Sequence, residues 1–106
     1  MFKSENGMSF LEEGDIFTVD YYKSSPSKNF PDRMIGKILT SEGDEVFTSA
    51  AKIVKVLDEL TKDDDISDLS KYVLEVIKAG EFNGRAVLSL KSDNQVIQKK
   101  IKRILF

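Results

Sequence analysis

The chain has 106 residues, enough for one domain and too few for a second independent core. Hydrophobic residues make up 41% and charged residues 32%, the composition of a compact chain rather than a disordered one. Histidine, cysteine and tryptophan are all absent, which removes the commonest general base, the thiolate nucleophile, the usual zinc ligands and any disulfide framework. The formal charge is −2, but residues 1–68 hold 8 basic and 15 acidic side chains and residues 69–106 hold 8 and 3. Much of the acidity lies in Asp58, Glu59, Asp63, Asp64, Asp65 and Asp68, a run that reads as a solvated linker. The N-terminal MFKSENGMSF lacks the apolar run of a signal peptide, and no stretch approaches the roughly 20 apolar residues of a membrane span. The expectation is a cytoplasmic protein in a bacterial host cell, with no membrane association.

In chain order, GDIFTVDYYK (14–23) alternates Phe17, Val19 and Tyr21 with Thr18, Asp20 and Tyr22, which predicts a strand with the first three facing the core. SSPSKNFPD (24–32) is a polar loop punctuated by two prolines. A strand over Met34–Thr40, a turn at Ser41–Asp44 and a strand over Glu45–Thr48 make a hairpin. Ser49 is placed to cap a helix carrying Ile53, Val56, Leu57 and Leu60 at helical spacing and ending near Thr61. Beyond the acidic linker, residues 72–77 form a β-branched strand, central in its sheet and covered on both faces. An Asn83-Gly84 turn then returns the chain into a strand over 86–91. Residues 93–106 carry Ile97, Ile101, Ile104 and Leu105 at helical spacing, with an extra strand as the alternative.

The order strand, long loop, hairpin, helix, hairpin is that of an OB-fold, a five-stranded, partly open Greek-key barrel with a helix between its third and fourth strands. The expected fold is therefore mainly β with one or two helices, in a single domain with its core at about 14–92. The alternative is an α+β sheet with both helices on one face.

GDIFTVDYYKS, EGDEVFTSAAKIVKVLDEL and YVLEVIKAGEFNGRAVLSL together resemble the small single-stranded-DNA-binding proteins of bacteriophages and related mobile elements. The shared pattern covers about three quarters of the chain: a strand after Gly-Asp, a glycine turn feeding a short strand, a Thr-Ser-Ala helix start and a last hairpin with a Gly-Arg turn. The resemblance implies binding of exposed single strands during replication or recombination. The acidic C-terminal tail through which many bacterial relatives recruit partners has no counterpart in KKIKRILF.

A protein that holds single strands needs cations along a groove and aromatic faces for the bases. In an OB-fold the loop between the first two strands and the loop between the last two flank the binding face. The candidate DNA-binding residues are Tyr22 as the outward-facing tyrosine, Lys23, Lys28, Phe30 and Arg33 on or near the first loop, Lys37 on the second strand, and Lys78, Phe82 and Arg85 on the last hairpin. Phe82 leads, because a phenylalanine at the tip of an Asn-Gly hairpin has little core to enter. Against these stand plainer readings: Phe82 folded back on a strand or in an oligomer contact, Phe30 as a loop anchor, Lys37 as an ordinary surface lysine. Phe17 and Phe47 read as core.

Lys52 and Lys55 near the start of the first helix oppose the helix dipole. Pairing of Lys55 with Asp58 or Glu59 on a solvated face is favoured there over an anion site at Ser49–Lys52. KKIKR is a phosphate-facing patch or the solvated side of a helix, and Ile101, Ile104, Leu105 and Phe106 offer a homo-oligomer contact.

The run Asp63–Asp65 with Asp68 lacks EF-hand spacing, and no phosphate-binding P-loop or Gly-x-Gly-x-x-Gly is present. No metal, cofactor or enzymatic activity is expected. The expected partner is single-stranded DNA, with RNA on the same surface an open alternative and a small protein-interaction module modulating a host protein the rival function.

Overall fold

Alternating and helical apolar patterns place eight strands and two α-helices along the chain in a computed structural model, which describes residues 2–5 and 8–106. They are β1 (Lys3–Glu5), β2 (Met8–Phe10), β3 (Ile16–Phe17), β4 (Val19–Pro26), β5 (Met34–Thr40), β6 (Glu45–Thr48), α1 (Ala51–Lys62), β7 (Leu74–Phe82), β8 (Arg85–Ser92) and α2 (Gln95–Leu105). A short 3-10 turn at Leu69–Lys71 lies between α1 and β7.

The strands form two sheets, ordered β1-β2-β6-β5-β4 and β3-β7-β8. The run predicted as one strand over 14–23 breaks at Thr18: β3 pairs with β7 and β4 with β5, so one stretch of chain serves both sheets. The fold is mainly β with two helices, and the barrel is not closed. No ladder joins the two sheets among the described residues. The second edge of β6 is instead taken by β2, which runs parallel to it with Ser9 opposite Val46 and Phe10 opposite Phe47. The sequence reading assigned no strand before Gly14.

Both predicted hairpins are present. Asn83 and Gly84 have φ of 51° and 75°, the two left-handed positions that a two-residue hairpin turn of this kind requires. β7 is central in its sheet, as expected, but its two faces are covered unequally: Leu74 and Val76 are buried on one, while Glu75 and Ile77 on the other are half-buried. Both helices pack against β8 and against each other, and α1 also packs against β4 and β5 of the larger sheet.

α1 buries Ile53, Val54, Val56, Leu57 and Leu60 along one stripe. Ser49 does not cap it. The cap residue is Ala50, and the Thr48 hydroxyl accepts from the Ala50 N–H at 3.2 Å instead. α2 is a helix, begun by Asn94, whose side chain accepts from the Ile97 N–H at 3.1 Å. It buries Ile97 and Ile101 against a core that contains Ile38, Val46, Ile53, Val56, Leu57, Leu74 and Val76. Each such side chain contributes about 1.5–3 kcal/mol by leaving water. Of the apolar residues offered for an oligomer contact, Ile101 is buried, Ile104 and Leu105 pack against the core, and Phe106 is exposed.

Candidate nucleic-acid interface

One side of the five-stranded sheet faces the core through Ile38 and Val46; the other carries a row of side chains in register. Lys23 lies opposite Lys37, Lys37 opposite Phe47, and Phe47 opposite Phe10. Residues directly opposite in neighbouring strands project to the same face, so two lysines and two phenylalanines stand in line across four strands. The Phe10 and Phe47 rings are 6.3 Å apart and tilted by 50°. Tyr21, opposite Leu39, joins this face and is 56% exposed. Lys37 is bridged to Glu45 at 3.3 Å.

The row runs into a cleft of about 880 Å³ between the ends of β2 and β6, the start of α1 and the β7–β8 hairpin. Parallel pairing brings β2 and β6 to the same end, where the Leu11 N–H donates to Phe47 O at 3.0 Å. Arg33, Lys52 and Arg85 line this cleft with Phe10 and Phe82, and among the described residues no aspartate or glutamate does. The chain as a whole has more acidic than basic side chains, so the local sign is the reverse of the net charge. None of the three cations is ion-paired with a described residue. A low-dielectric wall lined by one sign of charge focuses its potential outward, and an anion entering relieves the mutual repulsion of the cations.

Of the residues singled out from sequence, Arg33, Phe82 and Arg85 meet in the cleft, although about 50 residues separate the first from the other two. Phe82 is 71% exposed at the hairpin tip. Phe30 is 58% exposed, with the Arg33 guanidinium 5.4 Å from its ring centre. Two backbone hydrogen bonds, Arg33 N–H to Phe30 O and Ser27 N–H to Arg33 O, both 2.8 Å, fold the loop that carries this pair and the exposed Lys28. Lys23 and Lys37 stand on the sheet face. Lys78 is bound to Glu81 at 2.5 Å and does not line the cleft.

Tyr22 is not the outward tyrosine. A bulge between Val19 and Tyr21 shifts the register, so Tyr21 turns outward and Tyr22 turns in against the core. The Tyr22 hydroxyl donates to Val54 O at 3.3 Å. Burial, and next the neighbouring Asp58 carboxylate, push its pKa well above the usual phenol range.

Phe47, read as core from sequence, is half-buried on the outer face, because alternation in Glu45–Thr48 gives the inward positions to Val46 and Thr48. Phe17 is core as expected. Sequence reasoning missed Phe10 and Tyr21, and it ranked the anion site at Ser49–Lys52 below a solvated face although both residues line the cleft. The alternation Met8-Ser9-Phe10 was the available signal for the first. Lys55 forms no ion pair with Asp58 or Glu59 among the described residues. Within KKIKR, Lys100 is engaged by Asp63 at 2.7 Å and Asp65 at 3.5 Å.

Among the described residues no group of acidic side chains is arranged to hold a metal ion, and no helix is long and apolar enough to cross a membrane. Compared with protein-family models, with curated proteins and with solved structures, the chain gives no match.

Proposed function

We propose that this chain is a non-catalytic protein that binds single-stranded DNA, of the kind that serves phage or mobile-element replication and recombination, on an OB-like arrangement of strands. The observation that carries this reading is the cleft in which Arg33, Lys52 and Arg85 stand beside Phe10 and Phe82, with no carboxylate of a described residue in the lining. Cations that neutralise phosphates and exposed aromatic rings that stack on bases are what a single strand requires, each stacked base contributing about 1–3 kcal/mol. A bent first strand shared by two sheets, a helix between the third and fourth of the main strands, and two loops converging on one cleft support the OB-like reading. The in-register row Lys23, Lys37, Phe47 and Phe10 extends the track across the sheet.

Fluorescence anisotropy with a labelled 30-nucleotide oligothymidine and a matched duplex, at low and moderate salt, tests the proposal. The expected result is salt-sensitive binding of the single strand, much weaker binding of the duplex, and a large loss of affinity in Phe30→Ala/Phe82→Ala with folding intact. An oligouridine of the same length reports whether the 2′-hydroxyl matters. Absence of binding to every oligonucleotide at low salt overturns the proposal and favours a protein-interaction role.

A further inference from the structure

A second cavity, of about 530 Å³, lies between the loop after β4 and the side of α1, and it shares Arg33, Ser49 and Ala51 with the cleft. Its charged lining is balanced: Asp32, Asp58 and Glu59 against Arg33, Lys55 and Lys62. A ligand of net charge gains little in such a site, whereas a neutral ring with donors on one edge and acceptors on another finds a partner for each. Met34, 41% exposed, adds an apolar surface on which a ring can lie.

We propose that this cavity reads one unpaired base of the strand held in the cleft, and that the base it selects is guanine. The inference rests on the single-strand reading above. Guanine alone among the common bases presents two adjacent donors, N1–H and the N2 amine, to a carboxylate, while its O6 and N7 accept from a guanidinium or ammonium group. Of the three carboxylates lining the cavity, Asp58 on α1 is half-buried while Asp32 and Glu59 are exposed, which makes it the acceptor with the least water to displace. Arg33 stands between cleft and cavity, anchored by the backbone bonds of its loop, and supplies the donors. Adenine and cytosine offer the carboxylate an acceptor beside their amine, and thymine offers a single donor.

The test compares a short oligothymidine with the same strand carrying one central guanine, inosine, adenine or cytosine, by anisotropy on the intact protein. One guanine is expected to tighten binding by about tenfold. Inosine, which lacks the N2 amine, should lose most of that gain, and adenine and cytosine should match thymine. Asp58→Asn should erase the guanine advantage while leaving oligothymidine binding within about twofold, which also reports that the variant is folded. Equal binding of all strands overturns the guanine pocket and leaves the single-strand reading standing. A guanine advantage that survives in both Asp58→Asn and Glu59→Gln overturns the assignment to this cavity. No binding of any strand removes both readings together.

Discussion

The Tyr22 ring lies over Gly36: a Cβ built on Gly36 would fall 2.8 Å from Tyr22 Cε1, 3.1 Å from its hydroxyl oxygen and 3.3 Å from Thr48 Cγ2. Gly36 is buried in β5, opposite Ser24 on one side and Thr48 on the other. A glycine weakens a strand interior, and here the missing side chain makes room for an aromatic from the neighbouring strand. Gly36→Ala is expected to displace the Tyr22 ring from Val54 O and destabilise the fold by about 1–3 kcal/mol. Urea denaturation of the two proteins checks this, and equal midpoints would show that the ring moves aside freely.

The cleft predicts a salt dependence. With Arg33, Lys52 and Arg85 each neutralising about one phosphate, the logarithm of affinity for a single strand should fall with the logarithm of salt with a slope of about −2. Arg85→Ala should make the slope shallower by about 0.7 and weaken all sequences alike. Titrations at several salt concentrations measure both; an unchanged slope would place Arg85 away from the phosphates.

Phe82 depends on its turn. Gly84 has φ of 75°, a conformation in which an L-residue pays about 1–2 kcal/mol, and the cost falls on the hairpin that carries the exposed ring. Gly84→Ala should therefore weaken strand binding through a disturbed tip, with the thermal midpoint falling by about 5–9 °C and the protein still folded at the temperature of the titration. Loss of binding in proportion to loss of fold would contradict it.

The tie between α2 and the acidic linker predicts a pH response. The hydrogen bond from Lys100 holds the Asp63 carboxyl below its ordinary value of 3.8, and the same bond raises Lys100 above 10.5. A lowered carboxylate stabilises the fold above its unfolded pKa and loses that contribution as pH falls through the folded value. A raised lysine contributes below its unfolded pKa and loses the contribution as pH rises through the folded value. Asp63→Asn should therefore lower stability across neutral pH and make it less steeply dependent on pH as the pH falls below the ordinary carboxylate value of 3.8, as followed by circular dichroism. A parallel acid profile for the two proteins would sink the idea.

The periodicity of the chain was enough to place β5, β6, α1 and the β7–β8 hairpin, and it offered α2 with an extra strand as the alternative, because alternation and helical spacing are local and survive in almost any packing. It misjudged Tyr22 because a strand pattern gives the alternation and not its phase across a bulge: one extra residue at Asp20 exchanged the two tyrosines. It missed Phe10 and left the barrel open to misreading for a related reason. The parallel pairing of β2 with β6 depends on residues about 37 apart, and no local pattern announces it.

The sequence alone determined a small mainly β chain with an amphipathic helix after its first hairpin, a second hairpin at Asn83-Gly84, and no histidine or cysteine for the commonest chemistry. Only the tertiary structure decided which charges and rings act together. Arg33, Lys52 and Arg85 meet with Phe10 and Phe82 in one cleft that no described carboxylate lines, while Lys78 and Lys100 are taken up by nearby acids. Composition sums charge over the whole chain, but an anion responds to the potential of the wall it approaches, and the sheet register and hairpin closure build that wall.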